Sequence, residues 1–171
     1  VGVLLPEPED IIPYLDSTSV SWVDVQGLGS EDVLHRLGKV FKLHPLTLED
    51  VVNIPQRPKV EEYEDQLLII MRSATLLKGG KKFALEQISL ILGKNYLLTV
   101  QEEATGDCFE PVRQRIHRGK GSIRQEGADY LAYTLIDAIV DGFFPILEAY
   151  GEKLETLENK VVNNPEPKVL N

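Results

Sequence analysis

A single cysteine, Cys108, stands in the whole sequence. No disulfide can form within the chain, and no paired-cysteine zinc pattern exists. That fits a reducing compartment. Histidine is also scarce: His35, His44 and His117 are scattered, form no His-x-x-x-His pair, and read as surface or structural residues. No run approaches the ~20 apolar residues that a membrane helix needs; the best candidate, residues 131–147, is interrupted by Asp137 and Asp141. There is no signal peptide, because Val1-Gly2-Val3-Leu4-Leu5 lacks both a starting methionine and a basic leader. The sequence therefore reads as a piece of a longer protein. No nucleotide fingerprint is present: Gly119-Lys120-Gly121-Ser122 lacks the strand–loop–helix spacing of a phosphate loop and reads as a turn. Serine, histidine and aspartate occur without a nucleophile elbow.

Basic residues are the minority, 18 Lys and Arg against 27 Asp and Glu, for a formal net charge of -9. An acidic surface repels nucleic acid. It is compatible with attracting cations, although net charge speaks first to solubility. With 43% hydrophobic and 26% charged residues in 171 positions, the chain can build one domain with a core, or one domain with an appendage.

Pro6, Pro8 and Pro13 break the opening into short pieces. Val20 to Val25 alternates and is rich in β-branched residues, which predicts a strand ended by Gly27 and Gly29. Ser30 is placed to cap a helix running to about Leu43, with Val33, Leu34, Leu37, Val40 and Phe41 on one face. His44-Pro45 breaks that helix, and Pro45 suits the first position of a shorter one through about Asn53. From Lys59 to Gln101 the pattern is β-rich. Strands are predicted over Gln66 to Leu77, Phe83 to Leu92 and Tyr96 to Val100, with turns at Lys78-Gly79-Gly80-Lys81 and Gly93-Lys94-Asn95. Runs such as Leu67-Leu68-Ile69-Ile70-Met71 imply burial on both faces and hence helices packed on the sheet. Asp107, with Glu110 three residues on, matches a capping box for a helix to about Arg118. A long helix is predicted from near Gln125 to Asn163, weakened between Gly142 and Pro145. At about 60 Å it would outreach a domain roughly 30 Å across, so part of it should project. Leu147, Leu154, Leu157 and Val161 form a narrow apolar seam there, a pattern that wants a partner helix.

Two groups of carboxylates stand out. On the long helix, Tyr130, Thr134, Asp137, Asp141, Glu148, Glu152 and Glu155 fall within about a 60° sector. Asp137 and Asp141 are one turn apart, where like charges cost a few tenths of a kcal/mol. Either a bound cation offsets that cost or the stripe is the solvated face of an amphipathic helix. The second group is Glu49-Asp50, at the end of the short helix. Adjacent helix residues diverge by about 100°, so the two cannot readily chelate one ion. A helix C-terminus is electrostatically poor for anions, which mildly favours a compensating cation over plain surface charge.

Several runs resemble the CorA family of divalent-cation transporters: residues 20–25 (VSWVDV), 44–53 (HPLTLEDVVN), 56–61 (QRPKVE), 86–92 (EQISLIL), 109–113 (FEPVR) and 128–138 (ADYLAYTLIDA). The resemblance covers about residues 20 to 165 in the family's order. It implies an α/β fold: a mixed, largely antiparallel sheet sandwiched by helices, followed by the start of a long stalk helix. It divides the chain into an α/β/α cytoplasmic domain over residues 1–124 and the long helix over 125–171, cut off before a transmembrane segment. It further implies a homopentamer whose soluble domains bind Mg2+ at subunit interfaces, with Mg2+ favouring the closed pore. The matching metal-binding acids are Asp50 at one site, and Glu49 with Asp137 at a nearby one. No catalytic residue and no enzyme activity are implied. The membrane helices and the Gly-Met-Asn pore signature are absent from the sequence. Magnesium, cobalt, nickel and zinc therefore stay open as the transported ion, and a zinc-transporting branch shares the fold. The reading from a different class is a soluble metal-dependent hydrolase using Asp137 and Asp141, although acids on a projecting helix lack the cleft such chemistry needs.

Overall fold

A computed structural model describes residues 2–15, 17–80, 82–103, 107–119 and 121–163. Its centre is a five-stranded sheet in the order β1-β5-β4-β3-β2. The strands are β1 (Ser21–Gln26), β2 (Lys59–Tyr63), β3 (Gln66–Leu76), β4 (Phe83–Leu92) and β5 (Tyr96–Gln101). The predicted meander β3-β4-β5 is antiparallel throughout, and β2 extends it as an edge strand through a tight turn at Glu64-Asp65. Only β1 runs parallel to its neighbour, pairing Trp22 with Leu97 and Asp24 with Thr99. The sheet is thus mixed and largely antiparallel.

Alternation along the strands splits the core in two. Ile69, Ile88, Leu90 and Leu97 face one side, where they meet Phe109, Val112, Leu131, Leu135 and Ile139. Those partners come from the stretch before and within α4 (Glu110–Arg118) and from α5 (Ala128–Asp141). Leu68, Ile70, Ile91, Leu98 and Val100 face the other side, against Leu34, Leu37, Phe41 and Val51. That layer belongs to α2 (Glu31–Val40) and α3 (Pro45–Val52), with the short α1 (Ile12–Leu15) at its margin. Both sides of β3 and β4 are covered, as their continuous apolar runs require.

Helix starts follow local chemistry. The Ser30 hydroxyl accepts from the Val33 N–H at 3.4 Å. His44 caps α3 through Nδ1, which accepts from the Leu46 N–H at 3.2 Å, with Pro45 in the first turn. The expected capping box at Asp107 is not formed. The helix begins at Glu110, with Pro111 in its first turn, and Asp107 instead accepts from the Phe109 N–H at 2.9 Å and pairs with Arg113. The predicted long helix begins at Ala128 rather than Gln125 and is interrupted at Gly142-Phe143, after which α6 runs Phe144–Asn163. The interruption coincides with the glycine–proline stretch. Gly142 also lies so close to the sheet that a Cβ there would stand 3.0 Å from the Ala74 carbonyl oxygen. In the predicted glycine turns, Lys81 and Lys120 fall outside the described residues.

The expectation that no stretch is apolar enough to span a membrane needs correction. Among the described residues, the helical stretch 128–162 is long and apolar enough to cross a membrane by length and composition. The apolar side chains of its first half are nevertheless built into the sheet core, at Leu131, Ala132, Leu135 and Ile139. On α6 the seam is open to solvent, with Leu147 63% and Leu154 60% exposed.

Candidate functional site

Glu49 and Asp50 sit in the last turn of α3, and their side chains diverge. Glu49 is exposed and lines a groove of about 1000 Å³ between α2 and α3, with Gly38, Lys39, Lys42 and Leu48 among its walls. Asp50 turns toward β2. Its Oδ2 accepts from Lys59 Nζ at 2.7 Å, and its Oδ1 from Gln56 Nε2 at 2.8 Å. Burial would raise the Asp50 carboxyl, but the lysine and amide donors outweigh it and hold the group below its ordinary value.

The loop after α3 is pinned from the sheet. Gln87 on β4 is only 2% exposed. Its Nε2 donates to the Asp50 carbonyl at 3.3 Å, and its Oε1 accepts from the Gln56 N–H at 2.8 Å. On β2, Lys59 also donates to Glu61 Oε1 at 3.1 Å, and the Tyr63 hydroxyl donates to Glu61 Oε2 at 2.6 Å. Lys59, Glu61 and Tyr63 alternate along the strand and so share a face. Asp50, Lys59, Glu61 and Tyr63 form one continuous polar chain.

Asp137 is exposed on α5. That helix packs on the sheet face opposite the one carrying α3. Within one chain, therefore, the fold does not bring Asp137 together with Glu49 or Asp50. Among the described residues, no three His, Cys, Asp or Glu side chains converge on a position that could hold a metal ion. Asp141, Glu148 and Glu152 are exposed along α5 and α6. Thr134, on the same stripe, is buried and bonds the Tyr130 carbonyl at 2.9 Å.

Sequence reasoning missed Lys59, Gln56 and Gln87 as partners of Asp50. Their only signal was that residues 56–61 and 86–92 belong to the runs already singled out.

Over residues 17–171 the chain matches the family model described as CorA-like Mg2+ transporter protein. It is 43% identical over 162 residues to the cobalt/magnesium transport protein CorA of Thermotoga maritima, covering 95% of this chain and 46% of that protein. The chain thus spans about half the length of that relative. The soluble domain of CorA from Methanocaldococcus jannaschii superposes with a TM-score of 0.67 at 21% identity, over 86% of this chain and 58% of that one. The ZntB cytoplasmic domain from Vibrio parahaemolyticus shares the fold, with a TM-score of 0.59 at 15% identity over 86% of this chain and 57% of that one.

Proposed function

The chain belongs to the CorA-like Mg2+ transporter family, and on that premise we propose that it is the magnesium-sensing, cytoplasmic part of a magnesium/cobalt transporter. In this reading Glu49, Asp50 and Asp137 face divalent cations between neighbouring subunits of a homopentamer. The observation that carries it is the placement of α3 and α5 on opposite faces of one sheet. Acids displayed on opposite sides of a domain meet only when two domains stand side by side, and repeated head-to-tail contacts of that kind form a ring when the rotation between neighbours closes. The bound ion supplies the positive charge that lets such facing acids approach.

The chain's own residues do the rest. Gln87 and Gln56 fix the end of α3, so Asp50 is presented from a rigid support. The Ile139 and Leu135 contacts fix α5 on the sheet, so Asp137 is held at the surface without a flexible arm. Because the cation-bound arrangement stabilises the state in which subunits are close, a rise in internal magnesium favours closure. The division into a sheet domain over 1–124 and a stalk-starting helix over 125–171 belongs to the same proposal.

The test is cation flux through the complete transporter, measured against internal magnesium. Asp50→Asn and Asp137→Asn keep size and remove charge. Each is expected to weaken closure by magnesium and leave the fold intact. Unchanged inhibition in both, with folded and assembled protein, would discard the sensor reading.

A further inference from the structure

We propose that Lys59 is a tethered competitor for divalent cations at Asp50, setting the concentration at which an ion can engage that carboxylate. The proposal rests on the reading of Asp50 as a cation-facing acid.

The geometry is that of an exchangeable counter-ion. Lys59 Nζ reaches Asp50 Oδ2 at 2.7 Å and Glu61 Oε1 at 3.1 Å, so one ammonium serves two carboxylates. Pairing of Lys59 with Ile70 and of Glu61 with Leu68 fixes both side chains on the sheet face that carries α3. Tyr63 holds the second oxygen of Glu61 at 2.6 Å, so that carboxylate is oriented independently of the lysine. An ammonium leaving Asp50 therefore has a partner already in place, and the exchange leaves no charge stranded. Lysine suits this role because it is a point charge on a flexible stem, whereas a forked guanidinium would lock to the carboxylate. The pair is partly open to solvent, with side chains 27% and 18% exposed, so an ion can approach.

A divalent cation brings two charges where the ammonium brings one, and carboxylate oxygen is its preferred ligand. It wins when its concentration offsets the local advantage of the tethered lysine. A partly exposed ion pair of this kind contributes about 1 kcal/mol, which converts to roughly a three- to ten-fold shift in apparent affinity.

The experiment is a magnesium chloride titration of the isotope-labelled chain. It follows the Asp50 carboxyl carbon, the Asp50 and Gln56 amides, and the Lys59 Nζ resonance. Lys59→Met keeps the stem and removes the charge, and it is expected to lower the half-saturation concentration at Asp50 by roughly three- to ten-fold. The gain should vanish in the Lys59→Met/Asp50→Asn double variant. Lys59→Gln provides the same reading if the methionine variant does not fold. An equal or higher midpoint with an otherwise native spectrum overturns the proposal. So does a gain that survives in the double variant, or the absence of any Asp50 response in Lys59→Met up to about 50 mM, a range that covers even weak oxygen-ligand sites. The flux experiment is independent of these outcomes. If Asp50→Asn leaves magnesium inhibition unchanged while the titration shows the gain, the sensor reading fails and the competition at Asp50 stands.

Discussion

Gln87, buried in the middle of β4, holds the carbonyl of Asp50 at 3.3 Å, thirty-seven residues away in sequence. The same side chain accepts from the Gln56 N–H at 2.8 Å, so one amide group closes both ends of the loop after α3. Replacing it by leucine keeps the volume and orphans the Gln56 donor beneath the loop. The expected loss is about 1–3 kcal/mol, the cost of an unsatisfied buried group. Urea unfolding measures the loss, and amide exchange at Asp50 to Gln56 should quicken more than exchange in β5. Uniform quickening across the sheet would mean that Gln87 stabilises the core generally and does not hold the loop.

Much of this fold could be read from local chemistry, and the reasons for the rest are specific. Ser30 and Pro45 mark helix starts because capping and a fixed φ are local effects. The strands of the meander follow from alternation and turn residues. The parallel pairing of β1 with β5 could not be read, because alternation says which residues share a face but not which strand lies alongside. Asp107-x-x-Glu110 matched a capping box, yet the preference of Pro111 for the first turn moved the helix start past it. The candidate acids were legible as charges and as family positions. Their placement on opposite faces depends on how two connections cross the sheet, and no residue spacing encodes that. The Lys59–Asp50 pair spans a proline-rich loop whose path sets the contact, so its nine-residue separation carried no helical or strand signal.

Arg113 on α4 is the clasp between that helix and β1. It pairs with both Asp24 and Asp107, and its guanidinium carbon lies 5.3 Å from the centre of the Trp22 ring. Asp24 is further held by the Thr99 hydroxyl at 2.6 Å and the Gln101 amide at 3.1 Å. Arg113→Met would keep the packing over Trp22 but leave two part-buried carboxylates without their cation. The expected destabilisation is about 2–3 kcal/mol, more than an exposed pair would give. Thermal unfolding followed by the emission of Trp22, the only tryptophan, tests it. A loss within about 0.5 kcal/mol, the range of ordinary surface changes, would place the network among the weak surface pairs.

Glu86 predicts a pH dependence of opposite sign to the usual carboxylate. The residue is 7% exposed, and among the described residues its Oε2 has no hydrogen-bond partner. Burial pushes its carboxyl above the ordinary value; the Ser73 hydroxyl at 3.1 Å and the Glu103 backbone work against this, while the charges of Glu103 and Glu102 reinforce it. The folded chain therefore keeps this proton to higher pH than the unfolded chain does. Stability contributed by the group falls as pH rises from the ordinary carboxylate range through the folded value, and it stays reduced at neutral pH. Glu86→Gln removes that slope. It is expected to be more stable than wild type at neutral pH, with the advantage shrinking as pH falls back into the ordinary carboxylate range. A variant less stable than wild type at neutral pH would show that the ionised carboxylate is tolerated, held by the Ser73 hydroxyl and the Glu103 backbone.

Gly93 and Gly38 are about equally crowded. A Cβ on Gly93 would stand 2.3 Å from Cε1 of Tyr96, and a Cβ on Gly38 would stand 2.5 Å from Cδ1 of Leu48. The neighbours differ in freedom. The Tyr96 hydroxyl accepts from Gln66 Nε2 at 2.8 Å, and its ring packs 4.8 Å from that of Phe41, so it cannot move without breaking both contacts. Leu48 lines the open groove between α2 and α3, and its methyls can swing into that space. Gly38 also lies inside a helix, where alanine recovers about 1 kcal/mol of propensity. Gly93→Ala is expected to cost about 2 kcal/mol, in the range of overpacked cores. Gly38→Ala should fall within about 1 kcal/mol of wild type because the two effects oppose each other. Urea midpoints of the two variants side by side make the measurement, since neither changes charge. A loss in Gly38→Ala as large as that in Gly93→Ala would mean that Leu48 is held as firmly as Tyr96, and that the groove is closed by a contact its side chains do not show.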